Sequence, residues 1–77
     1  MNEFLELRNE ALQLGMRNGV KGFFKLPSPI VLNSTVIKEV NCMTGDIICD
    51  NTTIVGGAKD TPVTRMTFKR ILEILKP

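Results

Sequence analysis

Residues 60–77, DTPVTRMTFKRILEILKP, decide how the rest of this chain is read. Asp60 or Thr61 can cap a helix with a side-chain oxygen, and Pro62 falls in the first turn, where a missing amide hydrogen costs nothing. With successive residues about 100° apart, Val63, Phe68, Ile71, Leu72, Ile74 and Leu75 gather on one half of the wheel. Arg65, Lys69, Arg70, Glu73 and Lys76 gather on the other. The segment is an amphipathic helix whose apolar side needs a layer to lie on. From Thr61 onward four cations stand against Glu73 alone, while the whole chain carries a net charge of +2. The basic character therefore belongs to this helix, and the remainder is slightly acidic.

A second helix is predicted at the other end, from about residue 2 to residue 18, with Gly19 as its left-handed cap. Its apolar side collects Phe4, Leu5, Leu7, Ala11, Leu12, Leu14, Gly15 and Met16, and Glu3, Glu6, Asn9, Glu10, Gln13 and Arg17 lie opposite. That apolar arc covers roughly 200°, wider than the stripe of about 100° that one packing partner requires. Such breadth points to a further neighbour, including a second copy of the chain. Arg8 stands in the middle of the apolar side, where a guanidinium must reach solvent along its neighbours or meet a carboxylate, within the chain or across a subunit boundary. Ala11 and Gly15 would let another backbone approach closely.

Between the helices the pattern is that of strands. Residues 21–26, KGFFKL, are short and aromatic, and Pro27 and Pro29 are expected to end them because proline has no amide for the ladder. Residues 30–32 are apolar, Asn33 and Ser34 turn or bulge, and residues 35–43 form the longest strand candidate. Gly45 and Asp46 suggest a two-residue hairpin with glycine first, followed by a return through residues 47–49. Asp50 and Asn51 offer another turn, residues 52–55 a short strand, and Gly56 and Gly57 a break before the last helix. Asn33-Ser34-Thr35 and Asn51-Thr52-Thr53 match the glycosylation sequon but are read as turn residues. The whole, residues 1–77, is expected to be a single α+β domain: an N-terminal helix, an antiparallel meander of three to four short strands, and a C-terminal helix.

Composition narrows the functional classes. With 43% hydrophobic and 23% charged residues the chain can fold rather than remain disordered. No apolar run approaches the roughly 18 residues of a membrane span. Glu3, Glu6 and Glu10 break any secretory core near the start, so a cytoplasmic setting is expected. Histidine, tyrosine and tryptophan are absent, which removes the usual general base near neutral pH and the commonest metal ligand. Carboxylates do not cluster at a spacing suited to metal or paired-acid chemistry. No catalytic residue, no cofactor and no metal site is predicted.

Three features are left to carry function. Cys42 and Cys49 lie three residues outside the expected Gly45-Asp46 turn, which would set them opposite each other with Cα atoms about 5.5 Å apart. Their spacing is neither a zinc nor a redox motif, so they are read as buried, reduced core residues. Residues 56–61, GGAKDT, lead into a helix N-terminus but lack a phosphate-loop spacing, and are read as a turn and a cap. Phe23 and Phe24 are adjacent in a strand, so one ring faces the core and the other is left for solvent or a partner.

The expectation is a small non-catalytic protein-interaction module, a regulator, inhibitor or accessory subunit acting as a homodimer. Arg8, Leu12, Gly15, Phe23 and Phe24 are the candidate interface. The alternative is a weak nucleic-acid-binding module that uses Arg65, Lys69, Arg70 and Lys76 on the last helix.

Overall fold

In the computed structural model, which describes residues 2–76, polar residues close both ends of the first helix. Helix α1 (Glu3–Arg17) starts at Asn2, whose side-chain oxygen accepts from the Phe4 and Leu5 amides at 2.9 and 3.4 Å. After Asn18 the chain turns through Gly19, at a φ of 82°. The Gly19 amide donates to the Met16 carbonyl and the Val20 amide to that of Gly15, the two bonds of a Schellman motif. Helix α2 (Pro62–Leu75) is capped by Thr61 rather than Asp60. Thr61 accepts from the Thr64 amide at 3.1 Å, and the Thr64 hydroxyl oxygen accepts from the Thr61 amide at 2.9 Å. No helix among the described residues is long and apolar enough to cross a membrane.

Four strands lie between the helices: β1 (Phe23–Leu32), β2 (Thr35–Asn41), β3 (Ile47–Cys49) and β4 (Ile54–Val55). They form an antiparallel sheet in the order β1-β2-β3-β4, so the fold is the expected α+β meander between two helices. The β1–β2 turn is two residues long, with Asn33 and Ser34 at φ 48° and 65°. Two positive φ angles in sequence are those of a type I′ hairpin, whose twist matches the strands it joins.

Three strand boundaries differ from expectation, each for a local reason. Pro27 and Pro29 do not end the first strand. The register slips between Lys25 and Ile30 on β1, and β1 is an edge of the sheet, so the prolines occupy an irregularity where no ladder donor is needed. Strand β2 stops at Asn41 instead of running to residue 43, and no two-residue hairpin forms at Gly45-Asp46. The Asn41 side-chain oxygen accepts from the Met43 and Thr44 amides at 2.9 and 3.2 Å, and its carbonyl accepts from the Gly45 amide. That local network coils residues 42–46 before the chain can return. Thr52 adopts a φ of 61°, which leaves only Ile54 and Val55 for β4.

The core lies on one side of the sheet. Leu26, Ile30, Ile37, Val40, Ile47 and Cys49 face Phe4, Ala11 and Leu12 of α1 and Phe68 and Ile71 of α2. The Phe4 and Phe68 rings meet with centroids 6.0 Å apart and planes tilted by 51°, within the range of a favourable aromatic pair. Thr64 and Thr67 are fully buried beside them although the wheel places neither among the apolar residues. Burial is tolerated because the Thr64 hydroxyl donates to the Lys59 carbonyl at 2.6 Å and that of Thr67 to Val63 at 2.7 Å. The broad apolar arc of α1 is only partly covered, since Leu5 and Met16 remain about half exposed.

The loops after β2 and β4 are held together at two glycines. A Cβ on Gly57 would stand 1.8 Å from the Gly45 carbonyl oxygen, so no other residue fits there without moving one loop. Gly56, its neighbour, has open space around its missing side chain. Gly57→Ala is therefore expected to lower stability by about 1–3 kcal/mol in urea unfolding. Gly56→Ala should change it by less than about 1 kcal/mol. Equal losses at the two positions would mean that the contact between the loops contributes nothing.

Candidate functional site

Arg8 finds its partners inside the chain. Its Nε donates to the Gly57 carbonyl and its Nη2 to the Thr44 carbonyl, each at 2.9 Å, so the half-buried guanidinium joins α1 to both loops. Gly45 lies directly against it, since a Cβ there would meet Nη2 at 2.6 Å. Neither a carboxylate nor a neighbouring subunit is needed to satisfy those two donors. Leu12 is 7% exposed and Gly15 is buried against Cys42, so both belong to the core. The apolar surface that α1 leaves open is Leu5 and Met16.

Phe23 and Phe24 separate as strand alternation requires. Phe24 pairs with Val40 and packs against the core, whereas Phe23 pairs with Asn41 and is 58% exposed. Phe23 belongs to a larger surface, the outward face of the sheet. Val31 pairs with Val36 there, and Ile48 with Ile54. Val31 is 69% and Ile54 62% exposed. Lys25 pairs with Glu39, which pairs in turn with Ile48, so the row Lys25, Glu39, Ile48, Ile54 crosses all four strands. Val36 joins this row diagonally through Ile48, within reach of larger side chains. The sequence reading passed over this face because it followed the helices; the signal was the alternate set of strand residues, apolar where solvent normally favours polar ones.

The basic side of α2 is largely paired. Asp60 receives Arg65 through two hydrogen bonds, Nε to Oδ1 at 2.5 Å and Nη2 to Oδ2 at 2.7 Å. Arg70 meets Glu73 at 3.5 Å, and Lys76 reaches Glu10 of α1 at 2.6 Å. Among the described residues Lys69 alone of these cations has no ion-pair partner. The Asp60 carboxyl is held below the usual range, chiefly by its hydrogen bond from Arg65, and the Arg65 guanidinium is pushed up by the same contact. Residues 56–61 are occupied in a similar way: Gly57 gives its carbonyl to Arg8, Thr61 caps α2, and Asp60 places a carboxylate where an anion would have to approach.

The cysteines are not opposite one another, because the expected hairpin is absent. Cys49 pairs with Ile37, and the Cys42 amide donates to the Gly22 carbonyl at 2.8 Å while its sulfur lies over Gly15. Both are free, buried thiols. Burial pushes both up, and Asp50 adds to the effect at Cys49. Among the described residues no three metal-ligating side chains come together. Compared with protein-family models, curated proteins and solved structures, the chain matches none.

Two measurements check these environments. Cys42 and Cys49 should both resist iodoacetamide in the native state and react together on unfolding, since each is buried and raised away from the thiolate. Rapid labelling of either one in folded protein contradicts the packing. In a carboxyl NMR titration Asp60 should ionise below an ordinary aspartate and return upward in Arg65→Gln. A depressed folded pKa contributes stability that is present above the unfolded value of about 3.9 and lost as pH falls through the folded one. Arg65→Gln should thus narrow the difference in stability between neutral and acidic pH, and an unmoved Asp60 would show that the pair does not persist in solution.

Proposed function

We propose that the chain is a small non-catalytic protein-interaction module, a regulator, inhibitor or accessory subunit that works as a homodimer. The observation that carries this reading is the outward face of the sheet, where Phe23, Val31 and Ile54 are each more than half exposed and no element among the described residues covers them. Apolar side chains gathered on one open face are better covered by a protein partner than left to bulk water. The chemistry-bearing groups support the same reading. The chain has no histidine, and among the described residues the environment-shifted groups are two buried thiols and one surface ion pair.

The nucleic-acid alternative is disfavoured by the pairing on α2. Three of its four cations have a carboxylate at hand, from Asp60, Glu73 and Glu10, so a phosphate approaching that side meets little net positive charge. Surface pairs are weak, at most about 1 kcal/mol each, but the carboxylates would also repel the phosphate.

Sedimentation equilibrium should show a dimer whose share rises with micromolar concentration, and a monomer throughout would discard the homodimer. For duplex DNA and RNA at physiological salt, affinity should be no tighter than the roughly 10⁻⁶ M of non-specific association. Changing Arg65, Lys69 and Arg70 together to glutamine should leave fold and dimer intact. A tighter, salt-sensitive affinity that the triple change removes would reverse the order of the two readings.

A further inference from the structure

We propose that Asn18 is a hydrolytic modification site: loss of its side-chain amide, held off by the cap of α1, opens the last turn of that helix and uncovers Cys42. Neither the outward sheet face nor the dimeric reading enters into it. Of the asparagines at positions 2, 9, 18, 33, 41 and 51, Asn18 is the one followed by glycine. That neighbour decides the chemistry. A glycine nitrogen has no side chain beside it to hinder its attack on the asparagine carbonyl carbon Cγ. The Gly19 amide nitrogen gives up its proton to hydroxide and bonds to Asn18 Cγ, the bond from Cγ to Nδ2 breaks, and ammonia leaves with a proton from water. Water then opens the five-membered imide at either carbonyl, to aspartate or to isoaspartate. Water is consumed as ammonia is released, and no oxidant is required.

The folded α1 withholds each reacting atom. Asn18 Nδ2 donates to the Leu14 carbonyl at 2.8 Å, which ties the side chain back along the helix. The Gly19 amide donates to the Met16 carbonyl at 3.0 Å, so its proton is engaged. Ring closure needs the Gly19 nitrogen close to eclipsing Cβ of Asn18, whereas at a ψ of 13° it nearly eclipses the nitrogen of Asn18 itself. All three restraints belong to the end of α1, and both residues are exposed, so fraying of one helical turn lifts them together.

The product cannot rebuild that cap. A carboxylate in place of the amide has no hydrogen to give Leu14, and it adds negative charge where the helix dipole already disfavours it. Isoaspartate also lengthens the main chain by a methylene ahead of Gly19, which displaces the bonds from Gly19 to Met16 and from Val20 to Gly15. Gly15 is the residue that covers Cys42: a Cβ on it would stand 2.7 Å from the sulfur. A loosened last turn therefore exposes that thiol, while Cys49, paired with Ile37 inside the sheet, stays covered.

To test this, the full chain is incubated at mildly alkaline pH, folded and in guanidinium chloride, and peptide mass spectrometry follows each asparagine. Asn18 should convert first in both conditions, and at least about tenfold more slowly in the folded chain, because opening must precede the chemistry. Earlier conversion of another asparagine overturns the site, and equal rates in the two conditions overturn the role of the cap. Asn18→Asp, at an exposed position, reproduces one product directly. Iodoacetamide should label its Cys42 at least about tenfold faster than that of the folded wild type, with Cys49 unchanged. Asn18→Gln keeps an uncharged amide but would have to close a six-membered ring, so Cys42 should stay protected and no conversion should appear over the same period. Equal labelling of Cys42 in the wild type and in Asn18→Asp, or in Asn18→Asp and Asn18→Gln, overturns the unlocking.

Discussion

The junction of Arg8, Gly45 and Gly57 is the contact on which the rest of the arrangement depends. A helix, the loop after β2 and the loop after β4 meet there with no side chain between the two backbones, and one guanidinium closes the gap by donating to Thr44 and Gly57. An arginine suits this task because its planar fork can serve two carbonyls at once with little further ordering. The junction lies where β2 turns into β3 and where β4 leaves the sheet, so it ties both loops to α1.

From that constraint follows an unequal division of surfaces. Both helices and the inward sheet face contribute to one core, while the ion pairs of α2 and the bridge from Lys76 to Glu10 keep the helical side polar and internally balanced. The outward sheet face has no such balance of apolar residues with cover. In a chain of 77 residues, where burial on folding is limited to about 60% of the unfolded surface, an uncovered apolar sheet face leaves part of the achievable burial unrealised.

Helices and their caps were legible in the sequence because their signals are local: Thr61 with Pro62, Asn2 with the first turn, Gly19 at the end of α1. Strand limits were less so. Pro27 and Pro29 read as a stop, since a sequence does not say which strand is the sheet edge, and Asn41 reads as a residue inside a strand, whereas its side chain captures two amides and makes it the last residue of β2. Arg8 was rightly singled out as anomalous, yet its partners are backbone carbonyls 36 and 49 positions away, which carry no residue-type signature. The thiol pair failed with the hairpin from which it was deduced. Alternation put one ring of the Phe23-Phe24 pair outside, but the other apolar residues of that face are spread over all four strands: Val31 on β1, Val36 on β2, Ile48 on β3 and Ile54 on β4.

The irregular edge of the sheet has a consequence for how this protein can aggregate. Edge strands with free amides recruit further strands, and a chain with two receptive edges can polymerise without limit. Here β1 interrupts its outer edge with Pro27, Ser28 and Pro29, and β4 at the other side is two residues long. Neither edge offers a run of hydrogen-bonding groups long enough to template another strand, so cross-β growth is blocked at both ends of the sheet. What self-association remains must use faces rather than edges, and that favours a closed pair over a fibre.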